Sequence, residues 1–196
     1  MDPGLQRKWD RIHAGAPWPG PARVLRDFAH LLPGRGRALE VACGLGDNAL
    51  LLARRGLAVT AWDISPVAIE RLRRRAVEDG LAVAAEVRDV EAAAWPLAAF
   101  DVIVVSRFLS RGLCPRIQAA LKPGGLLYYQ TFIRARVDAG RGPSNPAYRL
   151  AENELLRLFP GLIVRAYREE GRCGDTRQGW RDEACLVAQK PKENEP

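Results

Sequence analysis

Residues 37–48 read R-A-L-E-V-A-C-G-L-G-D-N, and no other stretch limits the fold as much. An apolar run (Ala38, Leu39, Val41, Ala42) stops at Cys43-Gly44-Leu45-Gly46. An amphipathic segment starts at once, with Ala49, Leu50, Ala53 and Leu57 on one face and Arg54 and Arg55 off it. This is the pattern of strand, glycine turn and helix. The two glycines admit backbone dihedrals that a side chain forbids and let a ligand lie against bare main chain.

Two acidic residues bracket the loop. Glu40, inside an otherwise apolar strand, is costly to bury unless it meets a donor or a positive charge. Asp63 ends the next strand-like run at 57–62, which puts a carboxylate at a neighbouring strand tip where it can accept both hydroxyls of a ribose. A ligand carrying an ammonium and a ribose fits the pair. A lone G-x-G is only a tight turn; the two acids make it a site.

The chain has 196 residues, 47% hydrophobic and 27% charged, which suits one soluble domain with a substantial core. No apolar run approaches the roughly 20 residues of a membrane span, and the N-terminus has no signal-peptide segment, so a cytoplasmic protein without a membrane partner is expected. Cys43, Cys114, Cys173 and Cys185 form no C-x-x-C pair, and His13 and His30 are the two histidines, so neither a metal site nor a disulfide framework is indicated. The net charge of +7 raises the question of nucleic acid, but only Arg71, Arg73, Arg74 and Arg75 cluster, beside Glu70 and Glu78 on an expected helix, where they read as a solvated face. The sequence carries no signal of oligomeric state.

Along the chain, 1–20 is expected to be an irregular leader whose Trp9 and Trp18 either anchor it or close as a lid over a ligand. A helix should follow Pro21, with Val24, Leu25, Phe28, Leu31 and Leu32 on one face. Further strands are expected at 81–87, 100–105, 126–132, 162–168 and 183–189. Ser65-Pro66 should open a helix ending at Gly80, and shorter helices are expected at 115–121 and 151–159. Lys122-Pro123-Gly124-Gly125 reads as a turn, 134–149 as a long Gly-, Pro- and Arg-rich loop, and 191–196 as a frayed tail. The fold expected is α/β: a Rossmann-like doubly wound sheet of about seven strands, mostly parallel with an antiparallel last strand, and helices on both faces. Glu40 to Gly46, Asp63, Asp89 and Ser106 then share the rim beyond the carboxyl ends of the strands, where such sheets bind ligands. Asp89 reads either as a turn residue or as an acceptor for an exocyclic amine.

A nicotinamide dinucleotide is the competing ligand, and with it an NAD(P)-binding oxidoreductase. Against it stand Ala49 in place of a third glycine, Glu40 on the strand, the lack of a second mononucleotide half, and Asp47 where phosphate would meet the helix N-terminus. E-V-A-C-G-L-G-D-N, A-W-D-I-S-P, R-D-V, F-D-V-I-V-V and L-K-P-G-G-L-L, in that order, resemble the successive motifs of class I S-adenosylmethionine-dependent methyltransferases, over roughly residues 8–190. K-W-D-R at the start, C-G-L-G-D-N, and the late G-P-S-N-P-A-Y-R-L are similar to the tellurite-resistance and thiopurine-methyltransferase-like small-molecule group. Asp47 departs from the arginine usual in tellurite-resistance proteins, which leaves the substrate open.

The resemblance implies S-adenosyl-L-methionine as cofactor and S-adenosyl-L-homocysteine as product. It implies that Glu40 and the backbone of Cys43, Gly44 and Gly46 hold the methionine part, Asp63 the ribose, Ile64 the adenine face, and Asp89 and Val90 the adenine edge, with Ser106 and Arg107 near the methyl group. Methyl transfer is an in-line displacement that needs alignment above all, and no metal. The acceptor is expected to be a small molecule, a thiol or chalcogen oxyanion or similar. Trp9, Trp18, Arg107, Arg134 and Tyr148 are candidates to bind it, with Arg136 and Arg149 as further cations. His13 and Arg107 are the candidates for a catalytic role. RNA or protein methylation is the alternative within the family. The N-P-A-Y at 145–148 lies after the fifth strand, whereas enzymes that flip a base carry such a motif after the fourth. A cofactor-binding protein without catalysis is the remaining reading.

Overall fold

The computed structural model describes residues 2–192; the expected frayed tail at 191–196 lies mostly outside them. Seven strands form one sheet: β1 Arg37–Val41, β2 Ala58–Asp63, β3 Val83–Val87, β4 Phe100–Ser106, β5 Leu121–Phe132, β6 Ile163–Arg168 and β7 Glu183–Gln189. Their order is β3-β2-β1-β4-β5-β7-β6, with β7 antiparallel to both its neighbours and the other pairings parallel. The Rossmann-like sheet with its late antiparallel strand is therefore as the sequence leads one to expect.

Alternation along the strands assigns each face. In β1, Ala38 joins a cluster with Val24, Leu25, Ala49, Leu52, Ile69 and Leu72, so α2 (Arg23–Asp27), α3 (Asp47–Arg54) and α4 (Pro66–Glu78) cover that side. Leu39 and Val41 join Ile117, Leu155 and Phe159, so α5 (Cys114–Ala120) and α6 (Glu154–Leu158) cover the other. Each fully buried Leu or Ile contributes about 1.5–3 kcal/mol, and the two clusters hold the sheet from both faces. Sheet order reverses between β1 and β4, which opens the rim crevice at their carboxyl ends.

Several local expectations are corrected. The leader is not irregular: residues Pro3–Ala14 form helix α1, started by the Asp2 carboxylate, which accepts from Gly4 N at 2.7 Å and Leu5 N at 3.3 Å. Its inner face is Trp9, Asp10 and His13, and Leu5 and Ile12, at helical spacing with Trp9 in sequence, are exposed, so the helix docks by polar and stacking contacts. The helix after Pro21 stops at Asp27 and continues only as a 3-10 turn. Lys122 to Gly125 is an excursion inside β5: the β4 partner of Phe100 is Leu121 and that of Val102 is already Leu126. Lys122 Nζ is tied to Asp101 at 2.8 Å, and Gly125 passes so close to the Lys122 and Phe100 carbonyls that a side chain has no room.

The α3–α4 contact explains Gly46. It is the residue before α3, at φ 78°, and a methyl group there would come within 2.5 Å of Leu72. Gly46→Ala is expected to destabilise the protein by about 2–4 kcal/mol, from overpacking plus a left-handed backbone, read as a lower urea midpoint at unchanged slope.

Candidate functional site

β1 leads into the glycine loop through Ala42 at φ 50°, an uncommon conformation for a residue with a side chain. Cys43 N donates to Trp62 O at 2.9 Å, stitching the loop to the end of β2, and Gly46 N donates to Cys43 O at 2.9 Å. Of the two glycines only Gly44 offers bare backbone toward α1: a methyl built on it would stand 3.1 Å from Cε1 of His13. Cys43 is buried, and burial, with Glu40 and Asp63 nearby, pushes its thiol well up, so it packs and does not attack.

Glu40 is buried under the loop. Oε1 accepts from Asn48 Nδ2 at 2.7 Å and Oε2 from Ala49 N at 2.8 Å, so its carboxyl caps the start of α3. Burial pushes its pKa up to about 8 against the pull of these two donors. Asn48 was not singled out by sequence, yet its side chain also donates to Ser106 Oγ at 3.1 Å and accepts from Ala22 N at 2.7 Å. One amide thus joins the loop, the tip of β4 and the segment entering α2.

Asp63 lies at the tip of β2, where Oδ2 accepts from Gly44 N at 2.7 Å and Oδ1 from Ser65 N at 2.9 Å. Burial raises its carboxyl above the ordinary range, while the amides of Ser65, Gly44 and Ile64 pull the other way. The loop amides engage both oxygens, and a carboxylate has about four lone-pair sites, so acceptor capacity remains. His13 stacks on Trp9 with ring centroids 5.6 Å apart, and burial lowers its pKa, so the imidazole is neutral at pH 7. Half-buried Ile64 follows Asp63. Asp89 accepts from Glu91 N and Ala92 N at 3.1 and 3.3 Å, the turn role, and buried Val90 gives its carbonyl to Trp95 Nε1 at 2.9 Å.

Helix α1 is docked over this half of the rim by polar contacts. Asp10 accepts from Ser65 Oγ at 2.5 Å, and the same Oγ accepts from Ala68 N at 3.1 Å to cap α4. Arg71 donates to the carbonyls of His13 and, at 3.0 Å, Ala16. Trp18 lies under Arg71 and Arg75, 5.4 and 5.7 Å from its ring, along α4 and off the rim. Through these contacts it anchors the leader to α4. The arginine cluster is likewise only partly a solvated face, since Arg73 also donates to Ala85 O and Arg75 to Asp79.

On the other half of the rim, Arg107 follows Ser106 at φ 53°, held by Arg107 N donating to Gln130 O at 2.7 Å. Its Nε reaches Oε1 of buried Glu183 at 3.4 Å. Arg149, offered as a cation for the acceptor, is instead buried. It donates to the carbonyls of Pro143 at 2.8 Å, Ile133 at 3.0 Å and Arg141, shaping the 134–149 loop from inside. Arg136 donates to Ala139 O at 2.8 Å within the same loop. Arg134 is exposed, with its amide on Leu150 O, and Tyr148 is exposed on a 3-10 turn. The structure does not bring Arg134 or Tyr148 into contact with Arg107 or the glycine loop among the described hydrogen bonds.

Glu40 makes stability depend on pH in a direction that can be worked out. Its folded pKa lies above the ordinary carboxyl value, so the native state binds more protons than the unfolded chain and stability falls as pH rises from about 5 to about 8. Urea unfolding across that range should show the fall. Glu40→Gln should flatten it and cost about 1–3 kcal/mol, because a carboxamide turns an NH2 group toward either Asn48 Nδ2 or Ala49 N.

The side chains present fit S-adenosylmethionine better than a dinucleotide. A bare Gly44 and an Asp63 with spare acceptor capacity suit a ribose and an amino acid tail. The amide of Ala49 at the α3 N-terminus, which a pyrophosphate would need, is already taken by Glu40. The sequence pattern described as a methyltransferase domain matches residues 38–125. The chain is 32% identical over 168 residues to the ubiquinone biosynthesis O-methyltransferase of Azotobacter vinelandii, covering 79% of this chain and 67% of that one. It is 30% identical over 165 residues to the enzyme of the same name from Methylocella silvestris, covering 74% and 64%. It spans about half to two thirds of the length of the curated relatives it matches. TehB from Haemophilus influenzae superposes with a TM-score of 0.68 at 22% identity, covering 85% of this chain and 61% of that one, a likeness of fold. With a relative 32% identical and matched over two thirds of its length, the chain belongs to the class I S-adenosylmethionine-dependent methyltransferases.

Proposed function

We propose that this chain transfers the methyl group of S-adenosylmethionine to a small-molecule acceptor. The observation that carries the reading is the occupied N-terminus of α3. Glu40 holds the Ala49 amide and Asp47 stands in the first turn, so this end of the helix rejects phosphate and tolerates a cationic ligand. In this reading Gly44 lies against the methionine part, Asp63 takes the ribose hydroxyls, Ile64 packs on the adenine, and Asp89 and Val90 meet its edge. Bound S-adenosylmethionine supplies a sulfonium methyl group open to in-line displacement.

The protein's own part is alignment and exclusion of water. Holding an acceptor in line can lower the barrier by ~7–11 kcal/mol. The Asn48 amide fixes Ser106 and the loop relative to each other, and α1 closes one side with Trp9 and His13. His13 lies against Gly44 and Asp63, on the cofactor's side, and the other histidine, His30, is exposed beside Phe28. This favours an acceptor that arrives already ionised, such as a thiolate or a chalcogen oxyanion, over one that needs a histidine base. The relatives' names, which specify O-methylation, make hydroxyl acceptors the second set to assay.

Calorimetric titration with S-adenosylhomocysteine, with NADH as control, tests the cofactor. Saturable binding of the former alone is expected, and binding of NADH alone would replace the reading by an oxidoreductase. Asp63→Asn keeps one acceptor oxygen for a loop amide and should weaken S-adenosylhomocysteine binding by about 10- to 100-fold. Unchanged affinity in that variant would remove the ribose from Asp63.

A further inference from the structure

The mechanism above leaves unused a buried charge on the acceptor half of the rim. Glu183 begins β7, opposite Phe132 at the end of β5, and its side chain is 2% exposed. Oε2 accepts from Gln130 Nε2, and Gln130 Oε1 in turn accepts from Val24 N at 2.8 Å, which fixes the carboxylate from behind. Its Oε1 receives two guanidinium groups at once: Arg107 Nε at 3.4 Å and Arg141 Nη2 at 3.2 Å.

Two cations on one carboxylate leave one unit of positive charge. The guanidiniums are also half in solvent, with side chains 48% and 45% exposed, while the carboxylate that holds them is sealed. A surface ion pair serving stability alone would not need a buried acid or a second arginine, and exposed pairs contribute little in any case. Each guanidinium offers five N–H groups and gives one of them to Glu183 in the described contacts, so the outer donors of both point to a planar anion. Arg107 is, besides, a non-glycine residue at φ 53°, a costly conformation kept by the bond from its amide to Gln130 O. It follows Ser106, which Asn48 ties to the glycine loop, so the pair stands beside the cofactor's half of the rim.

We propose that Arg107 and Arg141, held side by side by Glu183, form a subsite for a carboxylate on the methyl acceptor. Arg107 and Arg141 bind it directly; Glu183 and Gln130 are positioning residues. The subsite deepens the methyl-transfer reading and rests on it for the identity of the ligand as an acceptor. Arg134, Arg136 and Arg149 are not part of it, and Arg149 acts only by holding the Arg141 carbonyl from inside the loop.

The test uses the full chain saturated with S-adenosylhomocysteine, titrated with benzoate and with benzamide, which share shape and differ in charge. Benzoate is expected to bind about tenfold tighter or more. Arg107→Gln and Arg141→Gln should each bring the two probes close to equal while S-adenosylhomocysteine affinity stays as in the parent. Glu183→Gln should weaken benzoate and leave benzamide unchanged, whereas a merely structural role for Glu183 would weaken both. Equal binding of the two probes by the parent, no saturable benzoate binding, or a preference that survives both arginine substitutions would overturn the subsite. If benzoate binds as expected but no acceptor is methylated, the anion subsite stands and the methyl-transfer reading falls.

Discussion

The structure depends on one buried side-chain amide. Asn48 donates to Glu40 and Ser106 and accepts from Ala22, and each partner belongs to a different segment: β1 under the glycine loop, the tip of β4, and the entry to α2. An amide is suited to this because it presents donors and an acceptor in one plane, and all are used here in a place without water. An aspartate would set a second acid against Glu40, and an aliphatic residue would leave three polar groups unmade at a cost of about 1–3 kcal/mol each. This node sits where the sheet order reverses between β1 and β4.

Around it the rim divides into halves of different chemistry. One half is acidic and backbone-rich: Glu40, Asp63 and Asp47 around Gly44, closed by α1 through Asp10 and Arg71. The other half is basic: Arg107 and Arg141 on Glu183, with Arg149 behind the loop. Such a division of charge would suit the proposed meeting of a cationic methyl donor with an electron-rich acceptor. The segment 22–24 joins the two, Ala22 N bonding to Asn48 and Val24 N to Gln130, so the entry to α2 registers both halves at once.

Much of this was legible in the sequence, and the failures share a cause. β1, the glycine loop, β2 and β7 could be placed because apolar alternation and glycine punctuation are local signals. Helix α1 was missed although Leu5, Trp9 and Ile12 stand at helical spacing, because the Gly- and Pro-rich 15–21 made the whole leader read as irregular; the helix then docks by Trp9, Asp10 and His13 through hydrogen bonds and stacking. Gly44 and Gly46 look alike in sequence and differ in surroundings, one against His13 of α1 and the other crowded by Leu72 of α4, a fact about where the helices pack. Among the arginines, residue type could not separate Arg149, buried on three carbonyls, from Arg141, half exposed on Glu183. The only signal within reach was Glu183 itself, an acid opening an apolar strand as Glu40 interrupts another.

That parallel bears on why the buried acids exist. Replacing a buried charged group by a well-packed apolar one is often neutral or stabilising, so neither Glu40 nor Glu183 is explained by stability. Both are fixed at the rim and both have their two oxygens engaged: Glu40 on the Asn48 side chain and the Ala49 backbone at the start of α3, Glu183 on Gln130 of β5 and the two arginines. Burying a carboxylate makes every alternative arrangement of its partners expensive, because a partner that moves away leaves a lone pair or a charge in a place without water. The sheet core beneath, built mostly from apolar side chains, carries few such directional constraints. The cost in stability of the two acids is best understood as the means by which the rim is held to one geometry.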